Sequence, residues 1–457
     1  MSRVIGPSFH IVVWFIWSAL LDIKRMLILE RCIGISWFCF LLYSACPVFA
    51  GQQGLRVLRI DDMITTLTPP NGWSRPMRTL FRALGFAIPC EKSVDQLSSQ
   101  DVHIFKVKHA WLHSIRLATI LSLLLLAVGC ASRHSGNRAA AEPPPWVEAS
   151  LRTAVVKLAG EIGERNLYRP KALEHSATWI EQQLRTLGYE VRRQAVAVDT
   201  NVFRCAGATA YNVEAVLVGH RHPEENIIIG AHYDTKVATA GYRDSWPPLL
   251  DRPGTPGAND NASGVAALLT IARSLAAQPC AKTLRLVFFS NEEPPFFKQP
   301  SVMGSYLYAG ELKAKGVRVE AMLSLEILGC YSKRRPNKKR FWYASPAGLS
   351  HDPDYVAFVS DLPSWHQSKR WAAAYARYSP LAARTLAIPV GVSRKIGWSD
   401  DWAFWRHDLR AVCVTDTGFL RCDDYHELSD TPDRLDYAPF ALVVWALEQA
   451  IRQLANE

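Results

Sequence analysis

His232, Asp260, Glu293, Glu326 and His426 are spread through the second half of the chain. Each stands where an apolar run gives way to a small or polar loop. An α/β sheet delivers side chains into a shared crevice at such places. Two imidazoles and three carboxylates, one of them bridging, form a donor set suited to a pair of divalent metals, with zinc the best match. His232 and Asp234 make an H-x-D pair at an expected strand end. Residues two apart in a strand point to the same side, so the Asp234 carboxylate can stand behind the imidazole and fix its tautomer. The same pair also fits a histidine that is merely packed. Asp260 lies in GANDNASG (257–264), whose small residues permit a tight turn. It reads either as a helix cap or as a carboxylate pinned where it can bridge two metals. Glu292 and Glu293 close an apolar strand, a costly place for carboxylates without a task. One can bind metal while its neighbour serves as general base toward water. Glu326 sits among apolar neighbours in LSLEILG and needs a metal or another cation beside it. His426, in a polar loop, carries no signal alone.

The elements that must position these residues run from Trp146 onward. Helical spacing marks 147–163 and 172–187, the latter ending at Gly188. Strands are expected at 189–198 and 211–219, followed by the β-branched run NIIIG at 226–230. A helix at 262–278, a strand at 283–290, a helix at 303–315 and strands at 319–326 and 410–416 continue the pattern, and a helix at 438–454 closes it. This alternation predicts one α/β domain: a single, mostly parallel (mixed) central sheet flanked by helices on both faces.

The bulk properties agree. The chain has 457 residues and is 49% hydrophobic, enough for a substantial core. Its net charge of +10 is uneven. Residues 1–130 hold 13 Lys/Arg against 7 Asp/Glu, and the rest 39 against 35. Residues 131–457 therefore carry only a modest excess of +4, a weak argument for nucleic acid. The basic run Lys333–Arg340 reads as a solvated loop before a strand at Phe341–Ala344. The 10 cysteines contain no C-x-x-C pair, which leaves a zinc ribbon unsupported. Cys413 and Cys422 flank a turn and are candidates to bridge in an oxidising compartment.

The pieces GAHYD (230–234), GANDNASG (257–264), NEE (291–293), SLEILG (324–329), WSDDWAF (398–404) and YHELSDTPDRLDY (425–437) together resemble the co-catalytic di-zinc exopeptidases. These include bacterial leucyl aminopeptidase, aminopeptidase Y, glutamate carboxypeptidase and the related glutaminyl cyclases. The resemblance covers roughly residues 150–455. It implies two zinc ions and a peptide substrate. His232 and Glu326 would bind one zinc, Glu293 and His426 the other, and Asp260 would bridge them. Glu292 would be the general base, with Asp234 orienting His232. The implied activity is removal of N-terminal amino acids. The alternatives are a glutaminyl-peptide cyclotransferase with a single zinc, or a non-catalytic binding domain on the same fold. Two departures stand out. Glu326 replaces the family's usual Asp, and Asp401 follows Asp400 where the family often has His. Tyr306, Trp398, Trp402, Phe404, Tyr425 and Tyr437 read as pocket lining or as core.

The leading segment has a different build. Residues 107–130 begin with Lys108 and Arg116, run apolar from Leu117 to Val128 and end in Gly129-Cys130. LAVGC resembles a bacterial lipobox, which predicts a lipid anchor at Cys130 and a place in the cell envelope facing the periplasm. Residues 1–106 then form an extension outside the mature protein, with the true start near Val107. The competing reading is a membrane anchor through 10–21 and 33–50. A linker over 131–146 leads to the exopeptidase domain at 147–457.

Overall fold

The computed structural model describes residues 132–457 apart from 138, 199–204, 206–208, 240–247, 332–353, 389–396 and 398. The expectations for residues 1–131, including Cys130, lie outside the described residues, as do the basic run, the strand at 341–344 and Trp398.

The run Asn226–Gly230 is the middle of a longer strand, β4 (His222–His232). Its three isoleucines are all buried, and they alternate between two cores. Ile227 and Ile229 face one apolar cluster and Ile228 the other. A strand covered on both faces reads as a continuous apolar run for this reason. The other strands are β1 (Ser132–His134), β2 (Val191–Ala197), β3 (Thr209–Leu217), β5 (Lys282–Phe289), β6 (Arg318–Glu326), β7 (Tyr355–Asp361), β8 (Ala382–Ile388) and β9 (Ala411–Thr415). They form one sheet in the order β1-β8-β7-β9-β6-β4-β5-β3-β2. The central strands β9, β6, β4 and β5 are mutually parallel. β3 and β2 continue antiparallel on one side, and β7 joins β9 antiparallel on the other. The sheet is thus mixed with a parallel centre, as the sequence predicts.

Helices cover both faces. α1 (Pro145–Val155) runs on as a π-helical stretch, Val156–Ile162, and is followed by α2 (Pro170–Thr186). α3 (Gly264–Leu275) is buried on almost every side. Each fully buried Leu or Ile in it contributes roughly 1.5–3 kcal/mol. α8 (Tyr437–Asn456) packs on the same core as α1 and α3. The opposite face carries α4 (Gly304–Ala314) and the short α6 (Asp401–Arg406), whose Tyr308, Leu312 and Phe404 pack on Ile228, Val287 and Phe289. Sequence reasoning assigned no elements between the strand expected at 341–344 and residue 410. The structure places β7, α5 (Trp365–Tyr378) and β8 there.

One buried charge cluster ties the β3 side together. The Glu214 carboxylate on β3 accepts from Arg192 Nε (2.8 Å), from Arg285 Nη1 (2.8 Å) and from the Tyr308 hydroxyl. Burial pushes this carboxyl up, but the hydrogen bonds from Tyr308, Arg285 and Arg192 and the Arg192 charge outweigh it and hold Glu214 below the ordinary carboxylate range. The ionised form therefore favours the folded state. Its contribution is present above the unfolded-state pKa and is lost as pH falls through the lower folded-state value. Glu214→Gln should cost roughly 3 kcal/mol, at the lower end for buried pairs because Arg192 is partly solvated. Denaturant unfolding of both proteins from neutral to acid pH checks this. The gap should close on acidification, and a constant gap would contradict the assignment.

Candidate metal centre

Three adjacent parallel strands end at the same edge of the sheet. β4 ends in His232, β6 ends in Glu326, and β5 is followed by Ser290-Asn291-Glu292-Glu293. Asp260 comes from the irregular segment Ala258–Ser263 that leads into α3, and His426 from the loop after α7 (Gly418–Arg421). The structure brings all five expected ligands together. His232 Nε2 lies 3.4 Å from Asp260 Oδ1 and 3.3 Å from Glu326 Oε2. His426 Nε2 lies 3.1 Å from Asp260 Oδ2 and 3.3 Å from Glu293 Oε2. Two triads result, His232–Asp260–Glu326 and Asp260–Glu293–His426, and Asp260 belongs to both. Glu292 faces the same centre, its Oε2 3.7 Å from His232 Nε2.

The surrounding polar groups explain why each side chain points inward. Asp260 does not cap α3. Asn261 Oδ1 accepts the N–H of Gly264 (3.0 Å) and so supplies the acceptor near the helix start, leaving Asp260 to the centre. Asn261 also donates to Leu325 O (2.9 Å) and Glu326 Oε2 (3.2 Å). The Ser399 hydroxyl donates to the same Glu326 oxygen at 2.7 Å. These two donors aim the side chain that is one methylene longer than the usual Asp. Asp234 has a second task besides His232. Its carbonyl is 3.2 Å and its Oδ1 3.6 Å from His232 Nδ1. Its carboxylate also accepts the backbone N–H of Glu292 (3.1 Å) and of Glu293 (3.0 Å). One residue thus sets the histidine and the acidic pair together. Asp400 and Asp401, where the family often has Asp-His, are both buried. Asp401 Oδ1 accepts the N–H of Ser399 (3.1 Å), so it shapes the turn that holds Glu326.

The centre is short of positive charge. Burial, then the Asp260 charge, raises Glu293 to about 7 against the opposing pull of His426. Burial pushes Glu292 well above the carboxylate range, with Glu326 and Glu293 adding to it and His232 opposing. Burial would lower His232, but Glu292, Glu326, Asp234 and Asp260 raise it well above its usual value. Among the described residues, His232 Nε2 and Glu293 Oε1 are buried without a hydrogen-bond partner. Inward-facing imidazole and carboxylate atoms lacking a donor, in a cluster rich in negative charge, are what a divalent cation would satisfy. The residues fit zinc.

His426 has φ of 63°, an uncommon conformation for a residue with a Cβ. Tyr425 stacks on it, ring centroids 3.9 Å apart. The loop is also tied covalently, because Cys422 pairs with Cys330, just beyond β6. This corrects the expected Cys413–Cys422 bridge. Cys413 points into the sheet core from β9 and is a free, buried thiol. Of the aromatic residues considered for a pocket, Trp402, Phe404 and Tyr437 belong to the core. Tyr306 is partly buried and packs on Trp402 and His407. Asn261, Ser399, Asp430 and Arg165 were given no role by sequence reasoning. The first three lie inside quoted motifs, while Arg165 left no signal.

Residues 212–451 match the model of Peptidase family M28. That is more than half of the chain, and the chain belongs to this family. It is a zinc metallopeptidase. It is 31% identical over 312 residues to the uncharacterized protein YfbL of Escherichia coli K12, covering 66% of this chain and 90% of that one. It is 30% identical over 169 residues to a probable zinc metalloprotease of Leptosphaeria maculans, where it spans 36% of the relative's length. Among solved structures it is similar to a leucine aminopeptidase precursor from Bacteroides thetaiotaomicron, with a TM-score of 0.49 at 19% identity, covering 68% of this chain and 98% of that one. It is also similar to a glutaminyl cyclase from the same organism, with a TM-score of 0.48 at 18% identity, covering 68% and 99%.

The disulfide closes a loop across 92 positions, which in the chain-entropy model is worth about 4–5 kcal/mol. Peptide mapping without reduction should find Cys330 joined to Cys422 and Cys413 unmodified. Replacing Cys330 and Cys422 by Ser should lower unfolding stability by about that amount. A Cys413–Cys422 fragment would contradict the pairing.

Proposed function

We propose that the chain is an aminopeptidase that removes N-terminal residues from peptides with a two-zinc centre. His232 and Glu326 would hold one ion and Glu293 and His426 the other, with Asp260 shared between the two sets. The observation that carries this reading is Asp260 itself, whose two oxygens reach two different imidazoles, His232 at 3.4 Å and His426 at 3.1 Å. When bound, zinc supplies Lewis acidity toward a carbonyl oxygen and lowers the pKa of water.

The chain's own residues do the rest. Glu292 is the general base. It is buried and faces the centre beside His232, placed to take a proton from water and hand it to the leaving amine. Asp234 is a positioning residue that holds the backbone of Glu292 and Glu293. Sharing of Asp260 between both triads favours this reading over a cyclotransferase with a single zinc.

Glu292→Gln keeps the size and removes the base. It should lower kcat on aminoacyl-nitroanilides by about 100- to 10,000-fold, with zinc content and thermal unfolding unchanged. Undiminished kcat in that variant would overturn the base assignment, and turnover of N-terminal glutaminyl peptides in place of aminoacyl-nitroanilides would overturn the aminopeptidase reading. For the segment before the domain, the proposal is a lipid-anchored envelope enzyme cleaved before Cys130. Intact mass of the natural product should start at a lipidated Cys130, and a mature chain retaining residues 51–106 would refute it.

A further inference from the structure

The bridging carboxylate is held through its backbone, and from two sides. Gly257 has φ of 65°, and a Cβ there would come within 2.3 Å of Asp260 O. Pro256 to Asp260 is therefore a tight turn with its peptide groups turned inside. Buried peptide groups need partners.

Arg165 takes the carbonyls. It is 0% exposed, and its guanidinium donates to Pro256 O (2.6 Å), Gly257 O (2.9 Å), Tyr233 O (2.7 Å), Gly163 O (3.1 Å) and Leu158 O (3.3 Å). Among the described residues none of its hydrogen-bond partners is a carboxylate. Its backbone N–H also donates to the Thr235 hydroxyl at 2.9 Å. Arg165 thus joins the residue after His232 to the turn that carries Asp260. Asp430 takes the amides. It is 1% exposed and accepts the N–H of Asn259 at Oδ1 (2.8 Å) and of Asp260 at Oδ2 (3.0 Å). Its carbonyl accepts the N–H of Ala258 (3.1 Å). Five consecutive residues are strung between a cation on their carbonyls and an anion on their amides. Each charge polarises the peptide groups in the sense the other favours, so the two hold the turn more firmly together than singly. A guanidinium presents five N–H donors in a rigid planar fork, whereas an ammonium has only three, on a flexible stem, and cannot reproduce the same five directions.

We propose that Arg165 and Asp430 are positioning residues for the metal centre: a charge clamp that sets the bridging Asp260 against His232 and so sets zinc affinity. The clamp rests on the ligand set assigned above. Residues that orient metal ligands from behind typically change metal affinity about 10- to 100-fold when replaced.

The test uses the metal-free full chain, titrated with Zn2+ against a chromophoric chelator and with Co2+ by visible absorption. Thermal unfolding of the metal-free proteins runs alongside. Arg165→Met and Asp430→Asn should bind zinc about 10- to 100-fold more weakly than wild type and shift the Co2+ bands. Arg165→Lys should not rescue either property. If Arg165→Met does not fold, Asp430→Asn and Arg165→Lys carry the test. Zinc affinity and Co2+ bands equal to wild type, even with lowered thermal stability, would overturn the clamp and leave only a structural role. Restoration of both by Arg165→Lys would overturn it too. Wild-type zinc stoichiometry separates the two claims. One ion in wild type would refute the two-zinc reading, while the ratio of variant to wild-type affinity still decides the clamp through Asp260 and His232.

Discussion

Concentrated buried negative charge at one edge of the parallel strands is the constraint on which the rest depends. Asp260, Glu292, Glu293 and Glu326 converge there with two imidazoles, all of the carboxylates nearly inaccessible. Such groups share a low-dielectric site only where protons neutralise them or cations join them. The fold brings them together because β4, β5 and β6 run parallel and adjacent, so their ends share one side. α3 starts beside Asp260, where its N-terminus stabilises nearby anions.

Precision then comes from groups that never reach the centre. Asp234 fixes the backbone of the acidic pair, Asn261 and Ser399 aim Glu326, and Asp430 and Arg165 hold the turn of Asp260. The replacement of a shorter acid by Glu326 is absorbed by this second layer. The loop of His426 depends on the Cys330–Cys422 bond to the end of β6. Stability and ligand geometry are therefore coupled, since most of these contacts also join separate elements.

Much of this was legible in the sequence, for physical reasons. Strands buried on both faces read as apolar runs, and ligands stand where those runs stop, so His232, Glu293 and Glu326 could be placed by pattern. Asp260 and His426 were placed by motif. Arg165 was invisible because it acts on backbone carbonyls, which carry no sequence identity. The double task of Asp234 was hidden for the same reason, as it holds amides 58 and 59 positions away. The disulfide partner was misjudged because nearness along the chain is a poor guide to Cβ geometry; Cys413 faces the core of β9 while Cys330, 92 positions from Cys422, lies beside it. The β7–α5–β8 layer was missed where a basic run interrupted the alternation.

The central claim is that Asp260 bridges two zinc ions with two further ligands each. Zinc-edge anomalous diffraction from crystals of the zinc-loaded chain tests it most directly. The account predicts two anomalous peaks, one against His232 and Glu326 and one against Glu293 and His426, with Asp260 between them. A single peak, or a second peak away from these residues, would contradict it.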